Sequence, residues 1–452
     1  MLPGLRNLDY TESMKLFNTL SRKIEDFVPL NPPKVNLFVC GPTVYDFAHI
    51  GNAKTYTQFD FVVKYLRARG FDVFYVMNIT DIDDKIIQRS KEQGVAWNEL
   101  AGNFERVFLE DMKAMHNTAV TKYARATGFI DEIVRQIQKL VKKGYGYETS
   151  DGIYFDIAKF KDYGKLSGRT EADQDAGVSR IDEGLDKKNK NDFCLWKKSK
   201  PGEPFWKTDL GTGRPGWHIE DTAITETLLG EQYDVHGGAI DLIFPHHEAE
   251  VSQMESASGK SPLVRYWIHV AFLNMNANKM SKSRGNFISM RVALEKYGYR
   301  LLRFFFISNH YRTSLEWSDR SLEQAKGALK RIDEFTLSID QTLRDDESLA
   351  NDFNKKIFEY LDNDFDTPNA LAEIFNFIHE QNVQGKPGKN TFKLFQELNK
   401  FLDFMTFELE TPEEIQKLLN EREELRQQKK FAEADELRKK IIQMGYEVKD
   451  PK

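Results

Sequence analysis

The tetrapeptide His49-Ile50-Gly51-Asn52 and the pentapeptide Lys279-Met280-Ser281-Lys282-Ser283 hold the residue types that handle polyphosphates. His49 and Asn52 open a helical pattern, and a helix N-terminus with side-chain donors beside it is an anion site. Taken alone, the same four residues also suit a helix cap with a glycine for close packing. Lys279 and Lys282, beside small hydroxyl residues and ahead of Gly285-Asn286, suit a loop over a polyphosphate, or a solvated basic turn. His246 and Glu250 are four residues apart, so on a helix they share a face, as a metal-gripping pair or as an ordinary surface hydrogen bond. Asp81, Asp83 and Asp84 crowd the stretch after Thr80; a magnesium site and a helix start that favours acids are both open, the second being the commoner use.

These residues need a frame. Residues 35–39 are a short apolar run that predicts a buried strand, broken by Gly41-Pro42-Thr43. Residues 51–69 read as a helix through Phe59, Val62, Val63 and Leu66, with Gly70 at its C-terminus, and residues 71–78 as a second strand. Strand, loop, helix and strand make a βαβ unit whose first loop aims a helix N-terminus at a phosphate-sized space. Residues 132–140 predict a helix, residues 144–156 a hairpin around Ser150-Asp151-Gly152, and residues 159–211 an irregular, charged stretch. From Ser318 the pattern is helical throughout, first with Leu322, Ala325, Leu329, Ile332 and Phe335 on one face, then with Thr367-Pro368 opening a further helix. Two amphipathic helices after Thr411-Pro412 end the chain, the last running through Phe431, Ala434, Leu437 and Ile441.

The composition sets limits. A chain of 452 residues exceeds one core, so about two to four domains are expected. A net charge of -6 argues against indiscriminate RNA binding, although local basic patches still serve a specific RNA partner. Cys40 and Cys194 are the only cysteines, which excludes a disulfide framework and favours a reducing compartment. No run approaches the roughly twenty apolar residues of a membrane span, and no signal-peptide pattern opens the chain, so a soluble cytoplasmic protein is expected.

In this order, the two short motifs resemble the HIGH and KMSKS signatures of class I aminoacyl-tRNA synthetases, with Asn52 in the fourth position of the first. FVCGPTVYDFAHIGN, NITDIDDKII, GRPGWHIE, HGGAIDLIFPHHEAE and NDFDTP are similar in sequence and order to cysteinyl-tRNA synthetases, a match running from about residue 15 to the C-terminus. The resemblance implies an α/β fold: a Rossmann-like catalytic domain with an inserted connective subdomain, followed by an α-helical bundle that binds the anticodon. Its expected divisions are an extension at 1–14, catalytic halves at 15–143 and 212–264, a connective insertion at 144–211, a linking domain at 265–317, the bundle at 318–410 and a helical tRNA-binding tail at 411–452. The insertion is too short to be expected to hold an editing domain. By the same resemblance, His49, Gly51 and Asn52 bind ATP, Lys279 and Lys282 hold its β and γ phosphates, and Thr80, Trp217 and His236 line a cysteine pocket. ATP with magnesium, L-cysteine and a cysteine-specific tRNA are the implied partners, with the chain a monomer off the membrane.

The family holds a zinc ion with two cysteines, a histidine and a glutamate. Three of these fall on Cys40, His246 and Glu250; at the fourth this chain has Asp221. Aspartate ligates zinc through oxygen, giving a harder site than two thiolates. Three readings follow: a retained metal with Asp221 as ligand or near-ligand, a metal-free pocket that recognises the thiol otherwise, or lost activity. Cys194, beside Trp196 in the insertion, reads as a buried structural thiol. The implied activity is ligation of cysteine to tRNA; a cysteine ligase acting on a small amine and a silent paralogue that binds RNA or nucleotide are the alternatives.

Overall fold

The apolar run after Lys34 forms the strand Lys34–Val39, the helix Ile50–Ala68 carries the chain back, and Asp72–Ile79 pairs in parallel with the first strand. The computed structural model describes residues 14–169, 186–275, 278–279, 287–384, 387–408 and 413–444. They divide into two units, 1–405 and 406–452.

At the centre of the first unit is a parallel sheet ordered Val264–Val270, Tyr233–Ala239, Lys34–Val39, Asp72–Ile79 and Lys122–Arg125. The winding direction reverses between Lys34–Val39 and Tyr233–Ala239. In doubly wound sheets, ligands bind at the carboxyl ends of the strands flanking this reversal. The helix Ile50–Ala68 is buried along most of its length, with Phe59, Phe61, Val62, Val63, Tyr65 and Leu66 all almost fully enclosed. It is therefore a central strut, and the strong one-sided apolar stripe of a surface helix is absent from it.

The insertion is more ordered than its charge suggests. Gly146–Glu148 and Gly152–Phe155 form the expected hairpin, and Phe193–Lys198, Gly211–Pro215 and Trp206–Thr208 extend it into a five-stranded antiparallel sheet. The expectation of an irregular stretch over 159–211 is corrected on this point. These strands are short, and their partners lie far back in the sequence, so alternation alone does not reveal them. Residues 170–185 lie outside the described residues.

Beyond the parallel sheet, Leu273–Met275, Asn278–Lys279 and Leu315–Trp317 form a small sheet, and Met290–Ile307 is a helix lying against Ile50–Ala68. Four helices follow, Asp319–Ser338, Glu347–Leu361, Thr367–Gln384 and Lys389–Leu402. Phe353, Phe377 and Phe395 stack between them, and Tyr65 of the central strut meets Phe358 and Phe401. Asp366, whose carboxylate accepts from the Asn369 amide, caps the third of these helices one residue ahead of the expected Thr367. Residues 1–13 of the expected extension lie outside the described residues.

In the second unit, Glu413–Gln427 and Phe431–Gln443 pair through Ile415, Leu418 and Ile441, with Leu419 and Leu437 packed alongside. No described helix is long and apolar enough to cross a membrane.

Candidate active site

Cys40 follows the last residue of Lys34–Val39, and its amide donates to the Gly237 carbonyl of the neighbouring strand at 3.1 Å. Only glycine fits at 41, because a Cβ there would lie 1.8 Å from the Asn78 carbonyl oxygen. The chain then turns around a cavity of about 410 Å³ whose wall includes Cys40, Thr43, His49, Asn52, Trp217 and Asp241. His49 is the N-cap of the strut helix. Its Nδ1 accepts from the Asn52 amide at 3.2 Å, while Asn52 Oδ1 accepts from the His49 amide at 3.2 Å. A Cβ on Gly51 would come within 2.9 Å of the His49 ring, so the glycine leaves the imidazole its place. The reciprocal bonds fix both side chains at a helix N-terminus that borders the cavity.

Backbone bonds bring a distant segment to this helix start. The Ile50 amide donates to the Ile288 carbonyl at 2.9 Å, and the Met290 amide to the Ala48 carbonyl at 2.8 Å. Lys279 belongs by its backbone to the short strand Asn278–Lys279. Its side chain, and Lys282 altogether, lie outside the described residues.

Behind the cavity wall at Cys40, the structure brings Cys40, Asp221, His246 and Glu250 together, their ligand atoms all within 4.8 Å of one another. Asp221 comes from the buried helix Trp217–Leu229, and Glu250 from the helix Glu248–Ser258, with His246 in the turn before it. Cys40 Sγ is 3.5 Å from Asp221 Oδ2 and 3.9 Å from Glu250 Oε1. His246 Nε2 is 3.0 Å from each of those oxygens. All four residues are at most 5% exposed. Burial, then Glu250 and Asp221, drive the Cys40 thiol well above its ordinary pKa. Burial alone would lower the His246 pKa, but Glu250 and Asp221 outweigh it and raise it. Burial raises Glu250 as well, so without a cation the cluster keeps protons on its thiol and on Glu250 that anionic donors would give up to a metal.

These donors fit zinc. Tetrahedral bonds of about 2.0 to 2.3 Å place neighbouring ligand atoms roughly 3.3 to 3.6 Å apart, and the contacts here bracket that spacing. Partners outside the four hold them in orientation, as ligands require. Asp221 Oδ1 accepts from Asn78 Nδ2 at 2.5 Å, and His246 Nδ1 meets His218 Nδ1 at 2.7 Å. Trp217 stacks on His246 with ring centroids 4.2 Å apart.

His236 is 1% exposed and outside the cavity lining, its Nε2 3.5 Å from Cys40 Sγ and 3.2 Å from Glu250 Oε2. With His247, whose Nε2 is 3.1 Å from the same sulfur, it completes a second group around Cys40 and Glu250. Thr80 is buried and bonded by its backbone to Pro42 and Val44. The three acids after it are engaged separately: Asp81 accepts from Thr127, Asp83 caps the helix Asp84–Gln93, and Asp84 pairs with Arg214 and Lys197. Cys194 is buried in the inserted sheet opposite Tyr154. The reading from sequence gave no role to Asn78, His218, His247 or His269. The doubled histidine before Glu248 was the available signal for His247; nothing in the spacing marks Asn78 or His269.

The chain matches the family model "tRNA synthetases class I (C) catalytic domain" over residues 26–327, and "Cysteinyl-tRNA ligase anticodon binding domain" over residues 409–452. The sheet, its switch point and the helix start beside it are thus those of a class I tRNA synthetase. The solved Mycobacterium tuberculosis methionyl-tRNA synthetase with methionyl-adenylate shares the fold, with a TM-score of 0.59 at 15% identity over 82% of this chain and 88% of that one. Within the class the assignment is narrower: the chain belongs to the cysteine–tRNA ligase family. It is 42% identical to the cysteine–tRNA ligase of Thermoplasma acidophilum over 97% of this chain and 98% of that one. For the Thermoplasma volcanium cysteine–tRNA ligase the identity is 44%, over the same shares.

Proposed function

We propose that the protein activates L-cysteine with ATP and transfers it to the 3′-terminal adenosine of a cysteine-specific tRNA. The observation that carries this reading is that Cys40, in the wall of the cavity that also holds His49 and Asn52, belongs to a buried cluster with Asp221, His246 and Glu250. In the first step a cysteine carboxylate oxygen bonds to the α-phosphorus of ATP as the bond to pyrophosphate breaks. In the second, an adenosine hydroxyl of the tRNA attacks the aminoacyl carbonyl and AMP departs. His49, Asn52 and the helix N-terminus orient the phosphates and meet the growing negative charge, while Lys279 and Lys282 hold the β and γ groups. ATP enters with magnesium.

Cys40, Asp221, His246 and Glu250 would hold one zinc ion per chain. Zinc, when bound, supplies a soft Lewis acid that accepts a thiol as thiolate and disfavours a hydroxyl, which separates cysteine from serine. Asn78 and His218 fix Asp221 and His246 for that role, and Trp217, Thr80 and His236 enclose the amino acid. In the division of labour we favour, 15–143 and 212–264 form the catalytic halves, 144–211 the connective insertion and 265–317 the linking domain. The helices of 318–410 and the tail of 411–452 make the anticodon-reading end, and the family match over 409–452 supports that reading of the tail. The protein acts as a cytoplasmic monomer. Cysteine-dependent ATP–pyrophosphate exchange tests the proposal: exchange with cysteine and little with serine is expected, and folded, metal-loaded protein without exchange would remove it.

A further inference from the structure

Lys54, on the strut helix one turn past Ile50, is fully buried, and among the described residues no carboxylate pairs with it. Its Nζ donates to three backbone carbonyls, those of Ala271 at 2.6 Å, Thr313 at 3.1 Å and Phe272 at 3.3 Å. Lysine is almost never enclosed this completely without an anion, and an apolar side chain would fill the same space without desolvating an ammonium. What the ammonium adds is direction. It draws together two backbone segments that enter parallel strands, Leu273–Met275 and Leu315–Trp317, whose first residues pair with each other. Gln58, one turn further along the same helix face, grips the Phe306 carbonyl at 2.7 Å and the Asn309 carbonyl at 3.3 Å. Burial lowers the Lys54 pKa to about 7, and even the amine keeps two N–H donors for these acceptors.

We propose that Lys54 is a positioning residue for adenylate formation, fixing the strand Leu273–Met275 against the helix whose first turn carries His49 and Asn52. That strand leads, in sequence, to Lys279 and Lys282. The backbone bonds of Ile50 and Met290 join the same helix to the segment that follows them. The first two turns of one helix therefore hold the chain on both sides of the lysine pair. Positioning at this level carries large rate effects, because a misplacement of about 1 Å far from the reacting atoms costs on the order of 10²-fold.

The inference rests on the synthetase reading above, and the test separates the two. Lys54→Met and Lys54→Arg are compared with the parent protein for helix content, cysteine-dependent ATP–pyrophosphate exchange, and transfer of cysteine from preformed cysteinyl-adenylate to tRNA. Parent protein that does not exchange defeats the functional reading itself. With an active parent, folded Lys54→Met is expected to exchange on the order of 10²-fold more slowly. Its KM for cysteine and its transfer rate from preformed adenylate stay within about twofold of the parent. Lys54→Arg, which keeps charge and donors, recovers most of the exchange. Unchanged exchange in folded Lys54→Met overturns the proposal. So does a parallel fall in exchange, transfer and cysteine affinity, the mark of a merely structural role, or folded Lys54→Arg no faster than Lys54→Met. Should Lys54→Met not fold, Lys54→Gln, uncharged with two donors, takes its place under the same expectations.

Discussion

Asp221 Oδ2 lies 3.0 Å from His246 Nε2, on the side of the imidazole that faces Cys40 and Glu250. The other carboxylate oxygen is held by Asn78 at 2.5 Å. An aspartate placed only to replace lost volume would not need both oxygens directed. Here one is tied back and the other is presented to the cluster, as for a ligand whose orientation is set from outside. Asn78→Ala is therefore expected to weaken metal binding by about 10- to 100-fold while all four donors remain. Titration with a competing chelator measures this, and unchanged affinity would mean that Asp221 needs no such support.

His49 serves both the helix and the cavity, and the two roles come apart in a variant. Removing the cap by His49→Ala is expected to cost about 1 kcal/mol of stability, seen as a modest drop in the denaturation midpoint. Exchange should fall far more, on the order of 10² to 10³, because donors to developing phosphate charge are lost. A fall in exchange no larger than the loss of folded protein would reduce His49 to a cap.

The buried imidazoles make the metal-free protein sensitive to acid. Burial holds His269 down to about 3, and holds His218, His236 and His247 well below the ordinary value. Each therefore contributes stability that is complete above about pH 6.5, the unfolded value, and is lost as pH falls toward the folded one. Glu250 opposes them, since burial raises its pKa and the folded carboxyl keeps a proton that the unfolded chain releases. His246, kept protonated by Glu250 and Asp221, and Glu220, raised by burial, act with Glu250, so the imidazole contribution is read one residue at a time, by comparing chelator-treated parent and His269→Asn at pH 7 and pH 5.5. Going from pH 7 to pH 5.5 the parent should lose on the order of 1 kcal/mol more stability in urea than His269→Asn, which has no imidazole to charge in the unfolded chain. An equal loss in parent and His269→Asn would contradict the assignment of a neutral imidazole at 269.

Asp364, in the NDFDTP stretch, joins the linking region to the helices. It is 2% exposed and accepts from the Phe17 amide at 2.8 Å, Tyr311 Oη at 2.6 Å and Arg312 Nε at 2.7 Å, on a backbone with φ of 59°. Asp364→Ala strands these donors and places a β-carbon residue with no local hydrogen bond in the left-handed region, for an expected loss of about 3 to 5 kcal/mol by chemical denaturation. Asp364→Asn should lose less, because asparagine tolerates this conformation and keeps one acceptor. A loss in Asp364→Ala below about 1 kcal/mol would show the hub to be solvated surface.

Much of the fold was legible because its signals are local. The strand ending before Cys40, the helix after His49 and the glycine at its end each follow from a few adjacent residues. The later strands of the insertion were not, since Phe193–Lys198 finds its partner at Gly152–Phe155 only across a long, charged connection. The same contrast holds in the site. Cys40, His246 and Glu250 were expected from motif resemblance, whereas Asn78 and His269 contribute only once the sheet sets them beside Asp221 and His247. Lys54 looked like an ordinary helical lysine because its acceptors are backbone carbonyls, which no residue type announces.

In the proposed function Asp221 stands in for a thiolate in a metal site that selects cysteine. The most direct measurement is zinc content and zinc affinity of the parent, Asp221→Ala and Asp221→Cys, each paired with cysteine and serine activation. One zinc per parent chain is expected, with weaker binding and lost preference for cysteine in Asp221→Ala, and tighter binding in Asp221→Cys, where a softer donor returns. Parent protein that carries no zinc yet prefers cysteine, or Asp221→Ala that binds zinc as tightly as the parent, would contradict it.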